Sequence, residues 1–261
     1  MPTSNDRDPA HAWCIPEREY ERHERRRGRR WAYPHLDPHR TALVVIDMVP
    51  FFTEANPYAR GIVSRIRNLA AHMRSAGGTV AWVLPEPTPN IEAAREFYGP
   101  TVAALYLASG GTGPVEQRLS PGLTPVVGDL FAAKTAHSAF FPGRCPLPGL
   151  LEARGITTIL ITGTTTDVCC ESSARDAFTL GYRVIVVADA TATGTDHAHN
   201  ASLRTVYRSL GDVRTTRDLI TLLACPYGVG KAKGKECVHS LPLSTYSAPG
   251  GLRQGPRRAA E

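Results

Sequence analysis

The chain has 261 residues, 42% of them hydrophobic, enough for one large domain with a buried core. No apolar run reaches the ~18 residues of a membrane-spanning helix, and the opening stretch lacks the apolar region of a secretory signal. The net charge is +6, but much of the excess sits in "RRRGRR" (25–30) and "RQGPRR" (253–258); with no recognisable nucleic-acid module these runs read as solvated terminal segments, so neither a nucleic-acid nor a membrane partner is expected.

Residues 1–40 read as a charged arm, with a short helix around "PEREYERHERRR" (16–27). "TALVVID" (41–47) is a continuous apolar strand. "ARGIVSRIRNLAAHMRSAG" (59–77) has helical spacing and runs into Gly77 and Gly78, a stop signal. "TVAWVLP" (79–85) is a second strand. Residues 87–121 break the rhythm and suit a lid or an interface. "TPVVGDLFAAK" (124–134) reads as one strand or two short ones, and "GLLEARG" (149–155) as a short helix. "TTILITG" (157–163), "CESSARDAFTLG" (170–181) and "YRVIVVADA" (182–190) read as strand, helix and strand. A helix over 196–211 follows, then a short strand and helix over 212–223. The last stretch, 226–261, is rich in Gly, Pro, Ser and Lys and reads as an irregular tail. Strands apolar on both faces, alternating with helices, predict a three-layer, doubly wound α/β domain over 41–225 with a mainly parallel sheet of about six strands.

In such folds ligands bind at the carboxyl ends of the strands. Asp47 ends the first strand, Lys134 follows the strand near 124–130, and Cys169 follows 157–162 through "GTTTD". Each alone is unremarkable: a turn-forming carboxylate, a surface lysine, a small core thiol. Their joint placement brings a carboxylate, an ammonium and a thiol to one sheet edge. A thiolate is favoured by a helix start and a nearby cation. Asp47 can take and return a proton, and the N–H groups of the strand-to-helix turn can hold an oxyanion. That set suits acyl transfer to water. Six cysteines (14, 145, 169, 170, 225 and 237) do not make a disulfide scaffold at this length and point to a reducing cytoplasm. Of the adjacent pair, Cys169 shares a helical face with Ser172, Ser173 and Asp176, whereas Cys170 shares one with Ala174 and Ala177. Cys169 is therefore the expected nucleophile and Cys170 a packing residue. Phe52, Trp82 and Phe140 stand near strand ends as candidate pocket residues. "DHAH" (196–199) reads as a helix start capped by Thr195 or Asp196 rather than a metal site.

The blocks "VVIDM", "K…SAFF" and "GTTTDVCCESSARDA" resemble the isochorismatase-like cysteine hydrolases, in the branch of N-carbamoylsarcosine amidase and ureidoacrylate amidohydrolase, over residues 40–225. The resemblance implies Asp47 as base, Lys134 as third triad member and Cys169 as nucleophile. It implies a cis peptide at Thr164–Thr165 that aims the Thr165 N–H, with that of Cys169, at the substrate carbonyl oxygen. It also implies a homodimer or homotetramer. Val49, Pro50 and Phe51 depart from the family's usual residues after "DM", and Asp167 stands where Asn is usual. The stretch "WVLPEPTPN" lacks the histidines of the nicotinamidase metal site, so no metal or cofactor is expected. The expected activity is hydrolysis of an amide, ureido or carbamoyl C–N bond in a small molecule. A lactam hydrolase, a vinyl ether hydrolase and a non-catalytic binding member are the alternatives.

Overall fold

A computed structural model of the chain describes residues 9–224. The sequence expectations for 226–261, for Cys225 and Cys237, and for the first eight residues lie outside them. The body is a six-stranded, all-parallel sheet in the order β3-β2-β1-β4-β5-β6. The strands are β1 (Thr41–Ile46), β2 (Thr79–Pro85), β3 (Leu130–Lys134), β4 (Thr158–Thr164), β5 (Arg183–Ala192) and β6 (Asp212–Arg214). The chain winds from β1 outward to β3, then returns to β4 beside β1 and winds the other way. The crevice beyond the ends of β1 and β4 is thus the topological switch point.

Period-two alternation sends neighbouring residues to opposite layers. Val44, Ile46, Ile161 and Val186 pack under α8 (Glu171–Thr179) and α9 (Asp196–Ser209), against Ala174, Ala177, Leu203 and Val206. Leu43, Val45, Trp82 and Leu160 pack under α4 (Val63–Ser75) and α10 (Thr216–Ala224), against Ile66, Leu69 and Leu219. Among the described residues no helix is long and apolar enough to cross a membrane.

Three elements differ from the sequence reading. The helix expected over 59–77 is two, α3 (Pro57–Gly61) and α4, because Pro57 starts α3 under an Asn56 cap (Asn56 Oδ1 accepts from the Tyr58 N–H at 2.9 Å) and the chain resets at Ile62. The strand expected over 124–134 begins only at Leu130. Before it, Asp129 accepts from the Val126 N–H (3.1 Å) in a turn that also carries Pro125 and Gly128. The N-terminal arm is packed on the body rather than solvated. Its helix α1 (Glu17–Arg27) buries Tyr20 and His23 against Tyr207, with ring centroids 4.9 and 5.1 Å apart. The basic run folds back on this contact: Arg30 bridges Glu17 (2.6 Å) and Glu24 (3.2 Å) and lies 4.0 Å over the Tyr20 ring. The arm's burial depends on aromatic pairs nearly 190 residues apart in sequence, which local composition does not reveal.

Candidate active site

Asp47 is the first residue past β1 and adopts a left-handed backbone (φ 53°), which aspartate tolerates better than most residues. Its N–H donates to the Val83 carbonyl (2.9 Å), and its carbonyl accepts from the Val49 N–H (2.9 Å) and the Thr164 hydroxyl (3.1 Å). β4 comes this close only because residue 163 is glycine. It has φ 108°, and a Cβ there would stand 2.0 Å from the Ile46 carbonyl oxygen. The chain beside the site is therefore held by three backbone or hydroxyl bonds and one glycine contact.

Lys134 ends β3 and reaches across β2. Its Nζ lies 2.9 Å from Asp47 Oδ2, donates to the Ala136 carbonyl at 3.0 Å and stands 3.6 Å from Cys169 Sγ. The pair is buried, with side-chain exposures of 3% and 1%. Burial opposes the ammonium, but the Asp47 carboxylate and the Cys169 sulfur more than offset it and hold Lys134 above its ordinary pKa. Asp47 Oδ1 is buried and has no hydrogen-bond partner among the described residues, so an acceptor is left open.

Cys169 lies in a widened turn, Thr166–Cys170, between β4 and α8. The Val168 and Cys170 N–H groups donate to the Thr165 carbonyl (3.2 and 3.1 Å). The Thr164–Thr165 peptide is cis, and among the described residues the Thr165 N–H has no protein acceptor. Burial first, then the Asp47 charge, pushes the Cys169 thiol up to about 12; Lys134 and the turn backbone only partly oppose this. The resting sulfur therefore carries its proton at neutral pH, contrary to the thiolate expected from a helix start and a cation. The sequence shows those two favourable terms but not the depth that outweighs them. Cys170 is fully buried with Ala174 and Ala177, in the core layer under α8.

These groups open onto a cavity of about 500 Å³. One wall comes from the segment left open as lid or interface: α5 (Ile91–Tyr98) and α6 (Pro100–Leu107) contribute Ala94, Tyr98, Ala103 and Tyr106. Phe52 lines the cavity. Trp82 and Phe140 do not, which corrects the reading of them as pocket residues. Trp82 is in the core with its indole N–H on Asp129 Oδ2 (2.8 Å), and Phe140 packs edge-on to Tyr182 (5.5 Å). Their partners come from other strands and helices, out of reach of local spacing. Glu86, His137 and Arg144 also line the cavity and were not singled out from the sequence; they lie in loops without periodicity, so only tertiary placement identifies them.

Among the described residues no group of three or more His, Cys, Asp and Glu side chains is placed to hold a metal ion. Thr195 caps α9, its side chain accepting from the Ala198 N–H (3.2 Å). Asp196 bonds His11 (2.7 Å), while His199 Nδ1 bonds the Thr166 hydroxyl (2.9 Å). Burial holds His199 down to about 3, so its ring is neutral. Asp167 accepts from the Thr193 hydroxyl (2.6 Å), which ties the turn to the end of β5.

Fold and site define an α/β enzyme domain with its chemistry-bearing groups at the switch point of a parallel sheet. A family model described as Isochorismatase domain matches residues 41–218, and the chain belongs to that family of hydrolases. Curated relatives include a ureidoacrylate amidohydrolase RutB of Methylobacterium radiotolerans, 30% identical over 217 residues (73% of this chain, 82% of that one). The corresponding protein of an Enterobacter strain is 28% identical over 215 residues (72% and 91%). Among solved structures, a cysteine hydrolase from Pseudomonas syringae pv. phaseolicola is similar with a TM-score of 0.64 at 27% identity, covering 74% of this chain and 96% of that one. N-carbamoylsarcosine amidase from Thermoplasma acidophilum is similar with a TM-score of 0.55 at 28% identity, covering 68% and 96%.

Proposed function

We propose that this chain hydrolyses a C–N bond in a small amide, ureido or carbamoyl compound, with Cys169 as nucleophile. The observation that carries the reading is one buried ammonium, Lys134, facing both the Asp47 carboxylate and the Cys169 sulfur. The names of the relatives, a ureidoacrylate amidohydrolase and an N-carbamoylsarcosine amidase, support the bond class.

In the proposed route Asp47 removes the thiol proton as sulfur adds to the substrate carbonyl carbon. Lys134 offsets the charge throughout. The carbonyl oxygen becomes an oxyanion held by the N–H groups of Thr165 and Cys169. The C–N bond breaks, and Asp47 returns the proton to the departing nitrogen. A thioester-type acyl enzyme remains. Asp47 then deprotonates a water that attacks this carbonyl, the C–S bond breaks, and the sulfur regains its proton. No step uses a metal, so turnover is expected to survive EDTA; loss restored by Zn²⁺ would overturn that part.

The test is incubation with a panel of ureido acids, lactams and amides, read by ammonia release and by intact mass. The expected result is turnover together with an acyl adduct on Cys169. Turnover that persists in folded Cys169→Ala, or none with any member of the panel, would refute the proposal. We also propose a homo-oligomer in solution. It is supported by exposed apolar side chains on α5 and α6, including Phe97 at 81% and Leu105 at 54%, and light scattering that gives a monomer mass would exclude it.

A further inference from the structure

The charges lining the cavity do not balance. Four lining residues are of acidic or basic type: Asp47, Glu86, Lys134 and Arg144. Asp47 and Lys134 neutralise each other at 2.9 Å. Glu86 faces Arg118 at 2.8 Å, outside the lining. His137 also lines the cavity, and burial, helped by Lys134, holds it below its ordinary pKa and so uncharged. Arg144 remains, with no carboxylate within ion-pair distance among the described residues.

The guanidinium is also held still. Arg144 Nε donates to the Thr135 hydroxyl (3.0 Å), and Nη2 donates to the Thr135 carbonyl (3.0 Å) and the Thr88 hydroxyl (3.3 Å). The Thr135 N–H donates back to the Arg144 carbonyl (2.9 Å). The arginine is thus locked to the residue directly after Lys134. Its acceptors are all neutral. Arginine has five N–H donors, and those on Nη1 have no acceptor among the described residues. A fixed, uncompensated guanidinium in a concave wall is a built anion site.

We propose that Arg144 is a specificity-determining residue that binds a carboxylate of the substrate, so that the C–N compound hydrolysed is an acid. The size of the charge selects a carboxylate over a phosphate monoester: one unmatched positive charge balances one negative charge, whereas a phosphate carries roughly −1.5 to −2 at neutral pH. The apolar side chains of Phe52, Ala94 and Ala103 in the same lining suit a short hydrocarbon link between that carboxylate and the scissile group. The inference rests on the C–N hydrolase reading above and adds which end of the substrate is recognised.

The test measures binding apart from chemistry. Full-length Cys169→Ala protein is titrated calorimetrically with N-carbamoylglycine, 3-ureidopropionate and N-acetylglycine, and with the carboxamide of each. A charge-assisted contact predicts acids bound about 10- to 100-fold more tightly than their amides. That preference is expected to vanish in Arg144→Gln, which keeps polar contact with Thr135 but not the charge. Arg144→Lys is expected to restore part of it, as a point charge without the fork. Circular dichroism confirms that each variant is folded. No acid preference across the panel, or a preference that persists in folded Arg144→Gln, overturns the proposal. Acid-selective binding by Cys169→Ala without turnover of any panel member by the unmodified chain would refute the hydrolase reading and leave the Arg144 site standing.

Discussion

Asp47→Asn is expected to make Cys169 more reactive toward alkylation and the enzyme less active. In the proposed mechanism the carboxylate has two opposing effects: its charge keeps the proton on sulfur, and it is the base that removes that proton during turnover. The distances of 2.9 and 3.6 Å through Lys134 Nζ cap the separation of Asp47 Oδ2 and Sγ at about 6.5 Å. At that upper limit and an effective dielectric of 20, a unit charge acts on the thiolate with at least about 2.5 kcal/mol, so about 2 pKa units is the least it contributes. Removing it raises the thiolate fraction at pH 8 by about 100-fold, while the lower pKa reduces intrinsic nucleophilicity by about 10-fold, leaving alkylation about 10-fold faster. Turnover is expected to fall by at least ~100-fold because the proton acceptor is gone. The assay is peptide mass spectrometry of iodoacetamide labelling at Cys169 from pH 7 to 11, beside ammonia release by the same preparation. Slower or unchanged labelling in a folded variant would show that the Asp47 charge does not control the sulfur. Retained turnover would remove Asp47 from the chemistry.

Stability should fall in alkali. The unfolded chain's thiol ionises near its ordinary value and the folded Cys169 near 12, so from about pH 9 to 12 the unfolded state sheds the proton first and about 4 kcal/mol is lost. Denaturant melts of Cys169→Ala should show a flatter decline over that window, and an identical decline would refute the assignment. Cys170→Ala should keep most of the activity and lose about 1 kcal/mol, as a small core truncation does; abolished turnover in a folded variant would put Cys170 in the chemistry. Gly163→Ala should fold poorly or lose more than ~4 kcal/mol, since its Cβ would meet the Ile46 carbonyl oxygen at 2.0 Å on a left-handed backbone; a melt within a few degrees of the parent would show the strands can part. His11→Ala should cost about 2 kcal/mol, because the buried Thr193 N–H donates to His11 Nε2 (3.1 Å) and would lose its acceptor; an unchanged melting temperature would show that the arm is dispensable.

The strands were legible because a parallel sheet buried on both faces leaves continuous apolar runs such as "ALVVI", and each run is bounded by a polar residue. Asp47, Lys134 and Cys169 are neighbours for the same reason: parallel strands all end on one edge. What was not legible depends on distance in sequence and on depth. Trp82 looks like a pocket residue until Asp129 claims its indole N–H. The Cys169 thiol looks ionised until its burial is counted.

The N-terminal arm is the sharpest case. Its charge suggested a solvated segment. Instead His11 is stacked between Tyr58 (3.9 Å) and His199 (4.2 Å), and His199 holds the Thr166 hydroxyl, three residues before Cys169. His11 Nε2 accepts from Thr193, so Nδ1 carries the proton and donates to Asp196. The histidine pair therefore packs ring on ring behind the turn that presents the sulfur. Composition assigns a residue's solvent preference, but a side chain with one apolar face and two matched hydrogen bonds can be buried at little cost. The arm reaches the turn that carries Cys169 through that exception.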